Sequence, residues 1–226
     1  MHPHWTLAAG QHAQTLAPAP GAGDATRFLL YLPQGFEPTG GRKWPLLVFL
    51  HGSGERGDDI EQVKLHGPPK LLSEQNDLPF IVVSPQAPAG TVWNSTAVHA
   101  LIDAVMERLP VDPERVYLTG LSLGGHGTWN IAASRPERFA AIAPVCGAGD
   151  VALACQLKGV PVWAFHGQQD SVVKLQDDAA MVEAVRACGG DVKFTVYPDL
   201  GHDAWTRSYA NPALYEWLLQ HRRSSR

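Results

Sequence analysis

Tyr117-Leu118-Thr119-Gly120-Leu121-Ser122-Leu123-Gly124-Gly125 carries a β-branched and aromatic stretch straight into a glycine-flanked serine. The pattern Gly-x-Ser-x-Gly after a strand is that of a sharp strand-to-helix turn, which lifts a serine hydroxyl clear of the sheet edge. Glycines at 120 and 124 suit such a turn because side chains there would collide with the chain folding back past them. The pentapeptide recurs by chance in ordinary loops, so its meaning depends on what surrounds it.

Outward from this turn the chain alternates between two kinds of apolar pattern. Short buried-type runs at 28–32, 46–50, 80–84, 116–121, 140–145, 162–165 and 192–196 predict strands. Between the later ones lie segments of helical period: the stripe Val98, Leu101, Ile102, Val105 and Leu109; residues 125–134, stopped by Pro136; 177–188, ending at Gly189-Gly190; and 213–220 behind Pro212. Strands alternating with helices predict an α/β fold in three layers, a mostly parallel sheet covered by helices on both faces with no large cap domain. Functional groups then belong beyond the carboxyl ends of the strands. Residues 1–24, rich in Ala, Pro, Gly and His, read as a loosely ordered lead-in, and 25–226 as one domain. His2, His4 and His12 in that lead-in match no closed metal-site spacing.

A serine hydroxyl is a poor nucleophile unless a base takes its proton. His202, in Tyr197-Pro198-Asp199-Leu200-Gly201-His202-Asp203, follows the last expected strand and is the candidate base. Asp170, in His166-Gly167-Gln168-Gln169-Asp170, follows the strand at 162–165 and is the candidate carboxylate to orient it. The chain order Ser122, Asp170, His202 is that of an elbow-bearing α/β sheet, unlike either protease order. Asp199 and Asp203 flank His202 too closely to meet its ring end-on, and Asp150 follows an earlier strand, so Asp170 is preferred. An oxyanion needs backbone donors. The glycine-rich Leu50-His51-Gly52-Ser53-Gly54-Glu55-Arg56-Gly57 follows an early strand; its Ser53 amide, with that of Leu123 after the serine, is the expected pair. His51 reads as a brace for its own loop, and Glu55, Arg56, Asp58 and Asp59 as loop pairing and solvation.

Composition bounds the partners. The chain has 226 residues, 45% of them hydrophobic, and a net charge of −4, with no basic run longer than Arg222-Arg223. Nucleic acid and anionic membrane surfaces are disfavoured as partners. No stretch reaches the roughly 20 apolar residues of a membrane span, and no basic-then-apolar leader is visible at the start. A cytoplasmic protein, or a periplasmic or secreted one already trimmed, is expected. The three cysteines, Cys146, Cys155 and Cys188, are no disulfide framework. Cys146 and Cys155 either bridge across nine residues or stay reduced as small hydrophobes.

Taken together, Leu50–Gly57, Ser84-Pro85-Gln86, Gly120–Gly125 and Trp163-Ala164-Phe165-His166-Gly167 resemble the α/β-hydrolase superfamily. The narrower resemblance is to esterases related to dienelactone hydrolase, polyhydroxybutyrate depolymerase and feruloyl esterases, some relatives of which are labelled peptidases. It spans roughly residues 27–221 and implies Ser122 as nucleophile, Asp170 as acid and His202 as base. Dienelactone hydrolases proper use cysteine as nucleophile; serine at this elbow points to the serine esterase branch. Hydrolysis of short-chain acyl esters through an acyl-enzyme is the expected activity, on a small-molecule ester and without metal or organic cofactor. A peptidase or amidase with the same groups is the alternative within enzymes, and a catalytically silent binding protein the alternative outside them. Trp93 and Trp205 are candidate walls of the substrate pocket, whereas His126 and Trp129 are expected to pack in the core.

Overall fold

A strand that is apolar on both faces has to be covered twice, and β5 (Val111–Leu121) is such a strand. Val116 and Leu118 point into one core, Tyr117 and Leu121 into the other. The computed structural model describes residues 5–18, 25–74 and 77–223. In it β5 lies near the middle of an eight-stranded sheet with order β1-β2-β4-β3-β5-β6-β7-β8. The other strands are β1 (Gly10–Leu16), β2 (Thr26–Leu32), β3 (Trp44–Leu50), β4 (Ile81–Pro85), β6 (Ala141–Val145), β7 (Val162–Gly167) and β8 (Val192–Tyr197). The β1/β2 and β2/β4 pairings are antiparallel and the rest parallel.

Helices α2 (Ser95–Arg108), α3 (Leu123–Ser134) and α4 (Leu175–Ala187) bury Leu101, Trp129 and Val182 against one face. On the other, α1 (Gly67–Glu74), α5 (Trp205–Ala210) and α6 (Pro212–Gln220) bury Leu72, Tyr209 and Leu218. This is the three-layer α/β arrangement read from the alternation, and all the expected strands are present. Leu118, fully buried on the central strand, is the kind of residue whose truncation to alanine costs about 2–5 kcal/mol. The parallel register sets Leu50 beside Gly120, Leu121 beside Val145 and Gly167 beside Tyr197. The carboxyl ends of β3, β5, β6, β7 and β8 therefore finish together, and the loops that follow them share one edge.

Two local features differ from the expectation. The segment read as a loose lead-in contributes β1, paired to β2 along its whole length. Its only buried residue is Gln14, so it is held by the backbone ladder and carries no apolar alternation that sequence could reveal. His12 lies in this strand with Nε2 against the Ala9 carbonyl, while His2 and His4 lie outside the described residues. The second difference is the cysteine pairing. Cys155, in the 3₁₀ turn Val151–Leu157, is bridged to Cys188 at the end of α4, with Cα atoms 5.2 Å apart. Cys146 is free and buried. The weighed pair Cys146–Cys155 is absent because Cys146 caps β6 inside the core, whereas Cys155 sits on the surface.

The bridge closes a separation of 33 residues, and loops of that size add about 2–4 kcal/mol by constraining the unfolded chain. Cys155→Ser should lower stability by about that amount in urea titration. Thiol titration in denaturant should find one reactive group per chain before reduction, from Cys146, and all three after it.

Candidate active site

The elbow is strained as the sequence demands. Ser122 stands at φ 51° and ψ −114°, a backbone conformation L side chains rarely adopt and one that costs about 1–3 kcal/mol. A β-carbon on Gly124 would lie 1.9 Å from the Leu50 carbonyl oxygen, and one on Gly120 would lie 2.3 Å from that of Gly124. Only glycine lets β3, β5 and the start of α3 come this close. The Ser122 amide donates to the Val145 carbonyl at 2.9 Å, which ties the turn to the end of β6.

Three side chains from three strand ends meet in series. Asp170 Oδ1 accepts the amides of Val172 and Val173 at 2.8 and 2.9 Å, and its Oδ2 accepts His202 Nδ1 at 2.7 Å. Because a carboxylate only accepts, Nδ1 is the donor in that bond, and in the neutral ring this makes Nε2 the acceptor. Nε2 faces Ser122 Oγ at 2.9 Å, where it can accept the hydroxyl's hydrogen bond. The Asp170 side chain is fully buried and that of His202 is 20% exposed. Burial opposes ionisation of Asp170, yet the bonds from His202 and the two amides hold its carboxyl below the usual range. The rival carboxylates are engaged elsewhere: Asp199 forks onto Arg207, Asp203 caps Thr206 and Asp150 caps Ala152.

The loop after β3 folds into a 3₁₀ turn, Ser53–Glu55. The first amide of a helical turn has no internal acceptor, which leaves the N–H groups of Ser53 and of Leu123, first in α3, available at this edge. Glu55 pairs within its loop as expected but is not solvated. It is 5% exposed, and its Oε2 accepts the Gly52 amide at 2.7 Å. That bond takes the neighbouring donor and fixes how the turn presents Ser53. Arg56 and Asp59 do pair within the loop, to the Ser53 carbonyl and the Glu61 amide. His51 braces as expected: Nδ1 donates to the Gly52 carbonyl at 2.6 Å and Nε2 accepts the Ala87 amide at 3.0 Å.

The two candidate pocket tryptophans part company. Trp205 stands edge-on to His202, with centroids 5.2 Å apart, and against His66 at 5.5 Å. Trp93 donates its Nε1 to the His51 carbonyl and packs over Gly127, so it supports the loop from the α3 side. Trp129 is fully buried and His126 is held by the Ala148 carbonyl. Cys146, Asp170 and His202 bring potential ligand atoms within 4.8 Å of one another. The last two are already committed to each other, and burial pushes the Cys146 thiol well above its ordinary range, which keeps it protonated and a poor metal ligand. His166 and Asp178, buried behind Asp170, were not singled out by the sequence reading. Their available signal was a strand-end histidine four residues before the chosen aspartate.

The profile of the dienelactone hydrolase family matches residues 87–214, more than half of the chain. The chain belongs to the dienelactone hydrolase family. Among curated relatives, a bifunctional acetylxylan esterase/xylanase of Neocallimastix patriciarum is 28% identical over 200 residues, 83% of this chain and 27% of that protein. The crystal structure of a thermostable esterase is 32% identical with a TM-score of 0.85, over 94% of this chain and 63% of the other. A ferulic acid esterase structure at 20% identity and TM-score 0.69 shares the fold, over 92% of this chain and 95% of that one. The chain thus spans about a quarter of the length of the xylan-acting relative and under two thirds of the thermostable esterase. No described helix is long and apolar enough to cross a membrane.

In this family member two buried histidines are held neutral. Burial lowers His51 to about 4, and burial with Arg138 and Arg135 nearby lowers His99 to about 4, from 6.5. Between these values the unfolded chain takes up protons that the native histidines refuse, so their contribution to stability is lost as pH falls through that window. Urea midpoints should decline from pH 6.5 to pH 4, and His99→Gln, which removes one of the two groups, should flatten the decline.

Proposed function

We propose that this protein hydrolyses short-chain carboxylic esters through an acyl-enzyme on Ser122. The observation that carries this reading is the unbroken series Ser122 Oγ, His202 Nε2, His202 Nδ1, Asp170 Oδ2, with both links shorter than 3 Å. Ser122 Oγ attacks the ester carbonyl carbon while its proton passes to His202 Nε2. The negative charge that develops on the carbonyl oxygen is met by the Ser53 and Leu123 amides. Collapse breaks the carbon–alcohol bond, and the alcohol leaves with the proton from Nε2. Water then repeats the sequence on the acyl group and frees Ser122. Asp170 keeps the imidazole in the right tautomer and stabilises its charged form.

The edge where these groups meet bears no inserted cap domain among the described residues. An open site of this kind accepts bulky or aromatic alcohols, with Trp205 as the wall nearest His202. Acetyl groups on sugars, suggested by the name of one relative, and feruloyl esters are the first natural classes to assay. The Cys155–Cys188 bridge favours an oxidising compartment, which supports the exported of the two expected locations.

Ser122→Ala should lower hydrolysis of p-nitrophenyl acetate and butyrate by about 10⁴-fold or more with an unchanged melting curve; retained activity would refute the reading. A fluorophosphonate probe should label the parent and not this variant, and an unlabelled parent would favour a binding protein instead. Ser53→Pro deletes one proposed donor. Gly52 is already extended at φ −80° and ψ −175°, as a residue before proline must be, and the first position of a helical turn tolerates proline. Turnover should drop about a hundredfold while the protein still labels with the probe.

A further inference from the structure

Behind Asp170 lies a second imidazole–carboxylate pair that the proposed chemistry does not use. His166, at the end of β7, and Asp178, in the first turn of α4, are both fully buried. His166 Nδ1 is 2.8 Å from Asp178 Oδ2, and Asp178 Oδ1 accepts Trp129 Nε1 at 3.1 Å. On its other side, His166 Nε2 lies 2.9 Å from the Val173 carbonyl and 3.3 Å from Asp170 Oδ2. Two acceptor oxygens facing one nitrogen require that nitrogen to carry a proton, since a bare lone pair there would face only other lone pairs. The imidazole is thus a donor on its Nε2 side whichever partner holds the proton between Nδ1 and Asp178.

Resting on the reading of Ser122, His202 and Asp170 above, we propose that His166, anchored by Asp178, is a positioning residue that fixes the Asp170–Val173 turn and the Oδ2 atom on which His202 bears. The Val173 carbonyl is locked by Nε2–H, and the Val173 amide in turn binds Asp170 Oδ1. The turn therefore holds the carboxylate by Oδ1, while Oδ2 lies between His202 Nδ1 and His166 Nε2. Because the positive end of Nε2–H also lies beside Oδ2, part of that oxygen's charge is directed away from His202.

Removing the donor returns that charge to His202 and favours its protonated form. The other titratable groups facing this cluster are His126 from α3, Cys146 from the end of β6 and Asp203 from the loop after β8. His126 and Asp203 keep their places in the variants below, and Cys146 is protonated throughout. The acid limb of kcat/KM, where His202 gains its proton and activity falls, therefore moves to higher pH.

In His166→Leu, kcat on p-nitrophenyl acetate should fall about tenfold or more with KM little changed, and the acid limb should rise by about half a unit to one unit. His166→Gln, which restores an N–H near the Nε2 position, should recover part of both effects. A limb unmoved in a folded, active His166→Leu variant overturns the proposal. Should that variant fail to fold, ¹⁵N NMR of histidine-labelled parent protein decides: Nε2 of His166 should stay protonated from pH 5 to pH 9, and a bare Nε2 at neutral pH overturns it. Failure of the underlying reading shows itself separately, as activity surviving Ser122→Ala.

Discussion

The close approach of the Leu50 carbonyl to Gly124 is the constraint on which the rest of this molecule turns. It brings the end of β3 against the first turn of α3, so the loop that presents Ser53 and the amide of Leu123 arrive at the same place. It also leaves Ser122 nowhere to go but a positive φ, with the hydroxyl raised above the sheet edge. Strain of about 1–3 kcal/mol at one residue persists only where the surroundings over-determine it. Here the bond from the Ser122 amide to Val145 and the packing of β5 on both faces do so.

Most of the architecture was legible because the strands are apolar on both faces and the helices carry clear stripes; both signals come from burial alone. What burial does not write was missed. β1 is held by backbone pairing with a single buried side chain, Gln14, and so has no pattern to read. The helix at Gly67–Glu74 begins Gly-Pro-Pro, letters that usually announce a loop. Within the candidate site, Ser122, Asp170 and His202 were legible from chain order, because the topology dictates which strand end carries which group. The partners behind them were not: Glu55 resembled its charged neighbours, and Asp178 resembled any acidic residue in a first helical turn. Their importance comes from which way the side chain turns, and that is set by contacts far away in sequence, such as Trp129 to Asp178.

Charge is managed here by enclosure. The side chains of Asp170, Asp178 and His166 are removed from solvent, and each finds its partner within the set or on a neighbouring backbone. Isolated, any one of them would be expensive to bury. Linked, they form a polar seam running from Trp129 at the core to His202 at the surface. His51 solves a related problem without charge, by placing one ring nitrogen as donor and the other as acceptor. A proton added at its Nε2 would face the Ala87 N–H, which is a local reason for its neutrality beyond burial.

The hydrogen bond between His202 and Ser122 joins residues 80 positions apart, and that between His202 and Asp170 spans 32. Two of the buried histidines that precede His202, His51 and His166, are locked in bonds of their own. During synthesis the strained serine turn can form as soon as β3, β5 and β6 have emerged, yet it must wait for β8 and the loop beyond it. The two sides of the Ser122–His202 bond thus come from distant stretches of the chain, and the serine turn meets its imidazole only once β8 and the loop after it have followed.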